Sequence, residues 1–168
     1  MSGARVLSFD PIASRNAEIL VLGSMPGRKS LEARQYYAHK QNAFWRIVCD
    51  HLGFDPSSPY QTRVRALTSA RIAVWDVLHS CVRQGSLDTM IKGDTEVAND
   101  FPAFFRAHRK ITHVFFNGAK AEASFKRHVV REIDAGSFQF ARLPSTSPAN
   151  ATLPFERKLE AWRAILGR

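Results

Sequence analysis

The chain has 168 residues, about the length of one domain. Its 24 Lys and Arg outweigh 15 Asp and Glu to leave +9 and a pI near 10.2. A content of 45% hydrophobic and 11% aromatic residues excludes a disordered chain, and the longest apolar runs, such as Ile19-Leu20-Val21-Leu22, fall far short of the roughly 20 residues of a transmembrane helix. Two cysteines, Cys49 and Cys81, exclude a disulfide framework and a four-cysteine zinc or iron–sulfur site.

In chain order, the first residues carry charges where a signal peptide needs an apolar stretch, so a cytoplasmic protein is expected and the sequon at Asn150 is coincidental. Glu18 to Gly23 (EILVLG) reads as a buried parallel strand that leads into a tight Ser24-Met25-Pro26-Gly27 loop. Asn42 to Leu52 places Phe44, Ile47, Val48 and Leu52 at helical spacing, with Gly53 as the stop. The Asp55-Pro56-Ser57-Ser58-Pro59 segment reads as a surface loop. Arg71 to Leu78 (RIAVWDVL) and Ile111 to Gly118 (ITHVFFNG) read as two more strands, and Lys120 to Val130 as a helix. Phe138 to Leu143 is a fourth strand, followed by a Pro144–Pro148 loop, and a final helix aligns Phe155, Leu159, Trp162, Ile165 and Leu166. Strands alternating with helices predict an α/β sheet covered on both faces, within one domain spanning residues 1–168.

Ligands of open α/β sheets bind beyond the carboxyl ends of the strands. That rule selects Ser24 to Gly27, Asp76 to Ser80, Asn117-Gly118 and Ser145 to Asn150. The Gly23–Gly27 loop has backbone amides to offer a phosphate, but neither the lysine of a Walker loop nor a GxGxxG pattern, and a plain turn explains it as well. Tyr36 and Tyr37 have rings that stack on bases or fill a core, whereas Phe44 and Trp45 lie on the core stripe. Asn42 has the chemistry to orient water, although capping the helix that starts there is the reading its position favours. Asp76 ends an apolar strand, so its carboxylate is either paired or turned to a polar pocket. The histidines show no metal-ligand spacing, and the +9 charge points first to nucleic acid.

Taken together, the stretch from Val21 to Gly53, Trp75-Asp76-Val77-Leu78 with Gly85-Ser86-Leu87-Asp88, Phe115-Phe116-Asn117-Gly118, and Leu143 to Ala151 (LPSTSPANA) resembles the uracil-DNA glycosylase superfamily. Within it the chain is most similar to the hypoxanthine-DNA glycosylase branch. The resemblance implies a three-layer αβα sandwich around a four-stranded, mainly parallel sheet. It also implies hydrolysis of the N-glycosidic bond of a flipped deaminated base, without metal or cofactor, by a monomer acting on DNA. Position by position, it implies that Gly23, Ser24, Met25, Tyr37, Asp76 and Asn117 hold the base, and that Pro26, Gly27, Ser145, Ser147, Pro148 and Asn150 meet the DNA.

The departures from the superfamily pattern are informative. Met25 stands where many members carry a water-activating Asn or Asp, so Asn42 is the expected catalytic residue and Asn117 the second. Ser145 replaces a histidine that stabilises a leaving pyrimidine anion, and Ala149 replaces a wedge leucine. Arg28, Lys29, Arg34, Lys40 and Lys120 are candidates for gripping phosphates. A uracil or mismatch-specific glycosylase is the nearest rival, and a non-catalytic DNA-binding module is the rival from another class. A serine hydrolase is disfavoured by the absence of a Gly-x-Ser-x-Gly elbow.

Overall fold

The computed structural model describes residues 3–166. Its strands are β1 (Arg5–Leu7), β2 (Ile19–Gly23), β3 (Ile72–Asp76), β4 (Leu78–Val82), β5 (Val97–Ala98), β6 (His113–Asn117) and β7 (Gln139–Leu143). Its α-helices are α1 (Arg28–Ala33), α2 (Phe44–Leu52), α3 (Tyr60–Ser69), α4 (Phe101–Ala107), α5 (Ala119–His128) and α6 (Phe155–Trp162). The main sheet has the order β3-β2-β6-β7, and all its pairings are parallel. Every residue of β2 and β3 is buried, which is why both read as unbroken apolar runs rather than as alternating strands.

Register sorts these residues onto two faces. Leu20 pairs with Ala73 and Val114, and Leu22 with Trp75 and Phe116; all six belong to the core that receives Phe101 and Phe104 of α4 and Phe125 of α5. Ile19, Val21, Ile72, Val74 and Phe115 face the other core, built from Phe44, Ile47 and Val48 of α2, Leu67 of α3 and Trp162 of α6. The outcome is the expected three-layer αβα arrangement. Gly53 ends α2 in the left-handed region (φ 77°), its N–H bonding to the Cys49 carbonyl at 2.9 Å. Cys49 and Cys81 are free thiols in separate cores.

The segment Arg71 to Leu78, which reads as one strand, is divided. After Asp76 the chain turns across the ends of the sheet, Val77 N–H bonding to Gly23 O (2.8 Å) and Leu78 N–H to Ser24 O (3.1 Å). It then enters β4, which lies between β1 and β5 in a small antiparallel sheet. Apolar residues on both sides of Asp76 hide this break, because Val77 and Leu78 are as buried as the strand before them. Behind that sheet the fully buried Glu96 side chain receives Lys120, Ser124 (3.2 Å) and His128 (2.8 Å) from α5. Burial works to raise the Glu96 carboxyl, but these partners outweigh it and hold it below the usual range.

The strand order fixes where a ligand can enter. From β2 the chain passes to β3 on one side, whereas from β6 it passes to β7 on the other. The connections therefore diverge between β2 and β6, leaving a crevice at their carboxyl ends. Phe101 is the centre of the aromatic cluster under this sheet, fully buried against Trp75, Phe104, Phe105 and Phe125. Phe101→Ala is expected to lower stability by about 3–5 kcal/mol, measured by urea denaturation.

Candidate active site

At the crevice lies a cleft of about 1050 Å³. Its lining includes all of Gly23, Ser24, Met25, Pro26, Gly27, Tyr37, Asn42, Asp76, Asn117, Ser145, Ser147, Pro148 and Asn150, so residues scattered over 128 sequence positions come to one place. Arg28, Lys29 and Lys120 also reach it, whereas Arg34 borders a separate depression with Tyr60 and Gln61.

The floor is set by a close approach. A Cβ on Gly23 would lie 2.5 Å from Asp76 Oδ1 and 3.0 Å from the Tyr37 hydroxyl, so only glycine at the end of β2 leaves both groups in place. Tyr37 adopts a left-handed backbone (φ 56°), a conformation that costs a bulky residue about 1–3 kcal/mol. Its ring stacks on Phe44 with centroids 4.1 Å apart. Neighbouring Tyr36 is buried and structural: its hydroxyl donates to Asp10 O (2.7 Å) and its carbonyl accepts from Trp45 Nε1 (2.8 Å).

Asp76 Oδ2 and the Tyr37 hydroxyl are buried without a hydrogen-bond partner among the described residues. Groups left in this state in a cleft are receptors for a ligand's polar atoms. Burial first, then the Asp88 carboxylate, raises the Asp76 carboxyl to about 7, with Arg83 pulling the other way. Burial and Asp76 likewise push the Tyr37 phenol up, against a smaller opposing pull from Asn117.

The two asparagines have different surroundings. Asn42 Oδ1 accepts the Phe44 N–H at 3.0 Å, an Asx-turn contact made from the residue before the Ala43 N-cap, so Asn42 does not cap α2 as its position suggests. An amide oxygen has two lone pairs, so this bond leaves one. Asn117 is clamped to the buried Thr146: its Nδ2 donates to Thr146 Oγ1 (2.9 Å) and its Oδ1 accepts the Thr146 N–H (2.9 Å). One Nδ2 hydrogen remains beyond that clamp. The loop after β7 also bonds within itself, Ala149 N–H to Ser147 Oγ (3.2 Å) and Asn150 Nδ2 to Ser145 O (3.1 Å), and Thr146 O accepts the Ala43 N–H (3.0 Å).

Sequence reasoning gave no role to the segment that closes the other wall. Ser24 Oγ donates to Asp88 Oδ1 (2.5 Å), Arg28 N–H to Ser86 Oγ (2.8 Å), and the buried Arg83 guanidinium to Pro26 O (2.6 Å) and Gly85 O (3.0 Å). Asp88 belongs to an exposed residue whose carboxylate turns inward, and desolvation holds it above the usual range against Ser24 and Arg83. The signal was the Gly85-Ser86-Leu87-Asp88 string, whose two hydrogen-bonding side chains flank a leucine.

The profile of the Uracil DNA glycosylase superfamily matches residues 10–166. The chain belongs to the uracil DNA glycosylase superfamily. A Hypoxanthine DNA glycosylase of Methanosarcina barkeri is 41% identical over 114 residues, covering 67% of this chain and 71% of the relative. A second Hypoxanthine DNA glycosylase, from Methanosarcina acetivorans, is 34% identical over 158 residues, covering 94% and 95%. The solution NMR structure of a candidate uracil DNA glycosylase from Methanosarcina acetivorans superposes with a TM-score of 0.81 at 31% identity, covering 97% of each chain. The fold and the enzyme class expected from the sequence, a DNA glycosylase, are those of this superfamily. Among the described residues no helix is long and apolar enough to cross a membrane.

The raised Asp76 carboxyl makes the fold sensitive to pH. Between the ordinary carboxyl range and about 7 the folded protein keeps a proton that the unfolded chain has lost. Stability therefore falls as pH rises through this window and levels off above it. Asp76→Asn has no such proton, and relative to wild type it is expected to gain about 2 kcal/mol between pH 5 and pH 8, measured by urea denaturation at both.

Proposed function

We propose that this DNA glycosylase removes hypoxanthine from DNA, and that Asp76, Tyr37, Asn42 and Asn117 carry the reaction. The observation that carries the reading is the buried Asp76 carboxyl on the floor of the cleft, whose Oδ2 has no hydrogen-bond partner, beside the Tyr37 hydroxyl and the Asn117 amide. The names of the two Methanosarcina relatives support the choice of base.

A base in duplex DNA must leave the stack to reach this floor, at a cost of a few kcal/mol that is smaller for a mispaired base. Hypoxanthine presents N1–H, a donor that Asp76 accepts as a carboxylate. Adenine presents a lone pair at N1 and meets the same carboxylate with repulsion, so this group distinguishes hypoxanthine from adenine; guanine shares the N1–H and differs from hypoxanthine by its 2-amino group. Tyr37 supplies the stacking surface, its far side backed by Phe44. The remaining Asn117 Nδ2 hydrogen is a donor for O6 or N7, where negative charge grows as the glycosidic bond breaks. Asn42, with one lone pair left on Oδ1, orients the water that traps the sugar cation. An amide is too weak a base to deprotonate that water before the cation forms. Arg28, Lys29, Ser145, Ser147 and Asn150 meet the backbone at the rim, and the working unit is a monomer because one chain supplies every one of these groups.

Uracil offers an N3–H of the same kind, so substrate preference is settled by cleavage of labelled duplexes bearing one deoxyinosine, deoxyuridine, deoxyxanthosine or normal base, followed by alkali. Strand breaks at deoxyinosine are expected. Breaks only at deoxyuridine would overturn the choice of base, and no breaks on any duplex would overturn the enzyme. Asn42→Ala is expected to slow single-turnover base release by more than about tenfold, or roughly 1.4 kcal/mol of barrier, while costing about 1 kcal/mol of stability through the lost hydrogen bond to the Phe44 N–H.

Because the ionised Asp76 is the form that accepts N1–H, kcat/KM on deoxyinosine is expected to rise with pH through about 7. Asp76→Asn keeps an acceptor for N1–H but no titrating group, so its profile across that range is expected to be flat. A wild-type rate that falls over the same range would overturn the role of the carboxylate.

A further inference from the structure

One surface side chain at the cleft does not fit the solvated rim around it. Leu87 lines the cleft and yet is 51% exposed, flanked by polar and charged residues. Its position is enforced from both sides. Ser86 before it accepts the Arg28 N–H at 2.8 Å, and Asp88 after it accepts the Ser24 hydroxyl at 2.5 Å. The Met90 N–H closes the turn on the Leu87 carbonyl (3.0 Å), and the buried Arg83 ties the start of the segment to Pro26 and Gly85. Five hydrogen bonds thus fix the backbone of a residue whose apolar side chain stays in water. An exposed leucine on a mobile loop is ordinary, but one presented on a latched turn beside the cleft is placed for an apolar surface to arrive.

Across the cleft, the loop after β7 offers the methyl group of Ala149 and the compact rings of Pro144 and Pro148, none of which has the reach of a leucine. A base that leaves the duplex opens an apolar gap between its neighbours, and an inserted apolar side chain fills it and keeps the base out. We propose that Leu87 is the wedge: it enters the stack from the Gly85–Met90 turn as the nucleotide passes into the cleft. The inference rests on the reading of the protein as a DNA glycosylase. Because Ser24 and Asp88 join the turn directly to the floor loop, the same hydrogen bond fixes the distance between wedge and base receptor.

The test compares Leu87→Ala with wild type and with Met90→Ala, an equally apolar change on the same turn at a residue 45% exposed and outside the cleft lining. Single-turnover base release is measured on a deoxyinosine duplex, on the same strand alone, and on a duplex with a pyrene nucleotide opposite the lesion. Leu87→Ala is expected to lose about tenfold or more on the ordinary duplex, to stay within about twofold on the single strand, and to be restored by pyrene, which fills the gap itself. Met90→Ala is expected to match wild type. An unchanged duplex rate, an equal loss on both substrates without pyrene rescue, or the same loss in Met90→Ala would each overturn the proposal. If wild type releases no base from any substrate, the glycosylase reading fails, and the wedge is decided by the fluorescence of 2-aminopurine placed beside deoxyinosine. A rise with wild type that Leu87→Ala lacks upholds the wedge; equal signals overturn it.

Discussion

Gly23 and Asp76 stand opposite each other at the ends of two parallel strands, and there is room for only one side chain between them. The register that pairs them is set by the four apolar pairs before them, from Ile19 with Ile72 to Leu22 with Trp75. A slip of one residue would turn each of those side chains to the opposite core and carry Asp76 away from the glycine. Burial of both faces of the sheet thus places a carboxylate where no carboxylate would settle for its own stability. Tyr37 completes the arrangement in a strained backbone, held by its stacking on Phe44. The energy that keeps these three groups together comes from the cores on either side, not from contacts among the groups.

The parts of this design that declare themselves in sequence are those governed by burial. The runs at Ile19–Gly23 and His113–Asn117, the stripe of α2 and its Gly53 stop are readable because apolar spacing and a left-handed glycine are local facts. The parts that do not are set by distant partners. Val77 and Leu78 extend an apolar run, and only their hydrogen bonds to Gly23 and Ser24 reveal that the strand has ended. β1 and β5 are too short to show any period, and α1 and α3 are largely polar, burying only Ser30 and Leu67. The cue at α4 was present, since Asp100 caps it through the Ala103 N–H and Pro102 lies in its first turn. For the site, strand ends and their polar residues could be located, but Asn117 could not be seen to close on Thr146, nor Arg83 on Pro26, because nothing local distinguishes a clamped amide from a free one.

Those clamps explain how loops perform work that needs fixed geometry. Both walls of the cleft are irregular backbone, and irregular backbone is the most mobile part of a fold unless tied down. Here the wall after β7 is fastened to β6 through both atoms of the Asn117 amide and to α6 through Trp162 Nε1 and Pro144 O (2.9 Å). The opposite wall is fastened to the loop after β2 by Ser24, Arg28 and Arg83. Each clamp is a side chain bonded to backbone or to another side chain across the chain, which orders a loop without adding a regular element. Preorganisation of this kind lowers the cost of bringing donors and acceptors to a reacting base.

Charge is divided in the same way as rigidity. The protein carries +9 overall, and Arg28 and Lys29 stand at the rim, while Lys120 is drawn inward to Glu96. The floor holds the Asp76 carboxyl and the wall beside it the Asp88 carboxyl, each of which feels Arg83 as a lowering influence. A phosphate is attracted by the rim and repelled by the floor, so the backbone stays outside and the neutral base is the part of the nucleotide that can descend. Once the glycosidic bond lengthens, the sugar becomes a cation and the base an anion. A carboxylate on the floor favours the first but opposes the second where it meets N1–H, so the amide N–H aimed at the base is what favours the departing anion. Arg83 offsets part of the upward push that burial and Asp88 exert on Asp76, and so favours release of the proton that Asp76 must lose to accept N1–H.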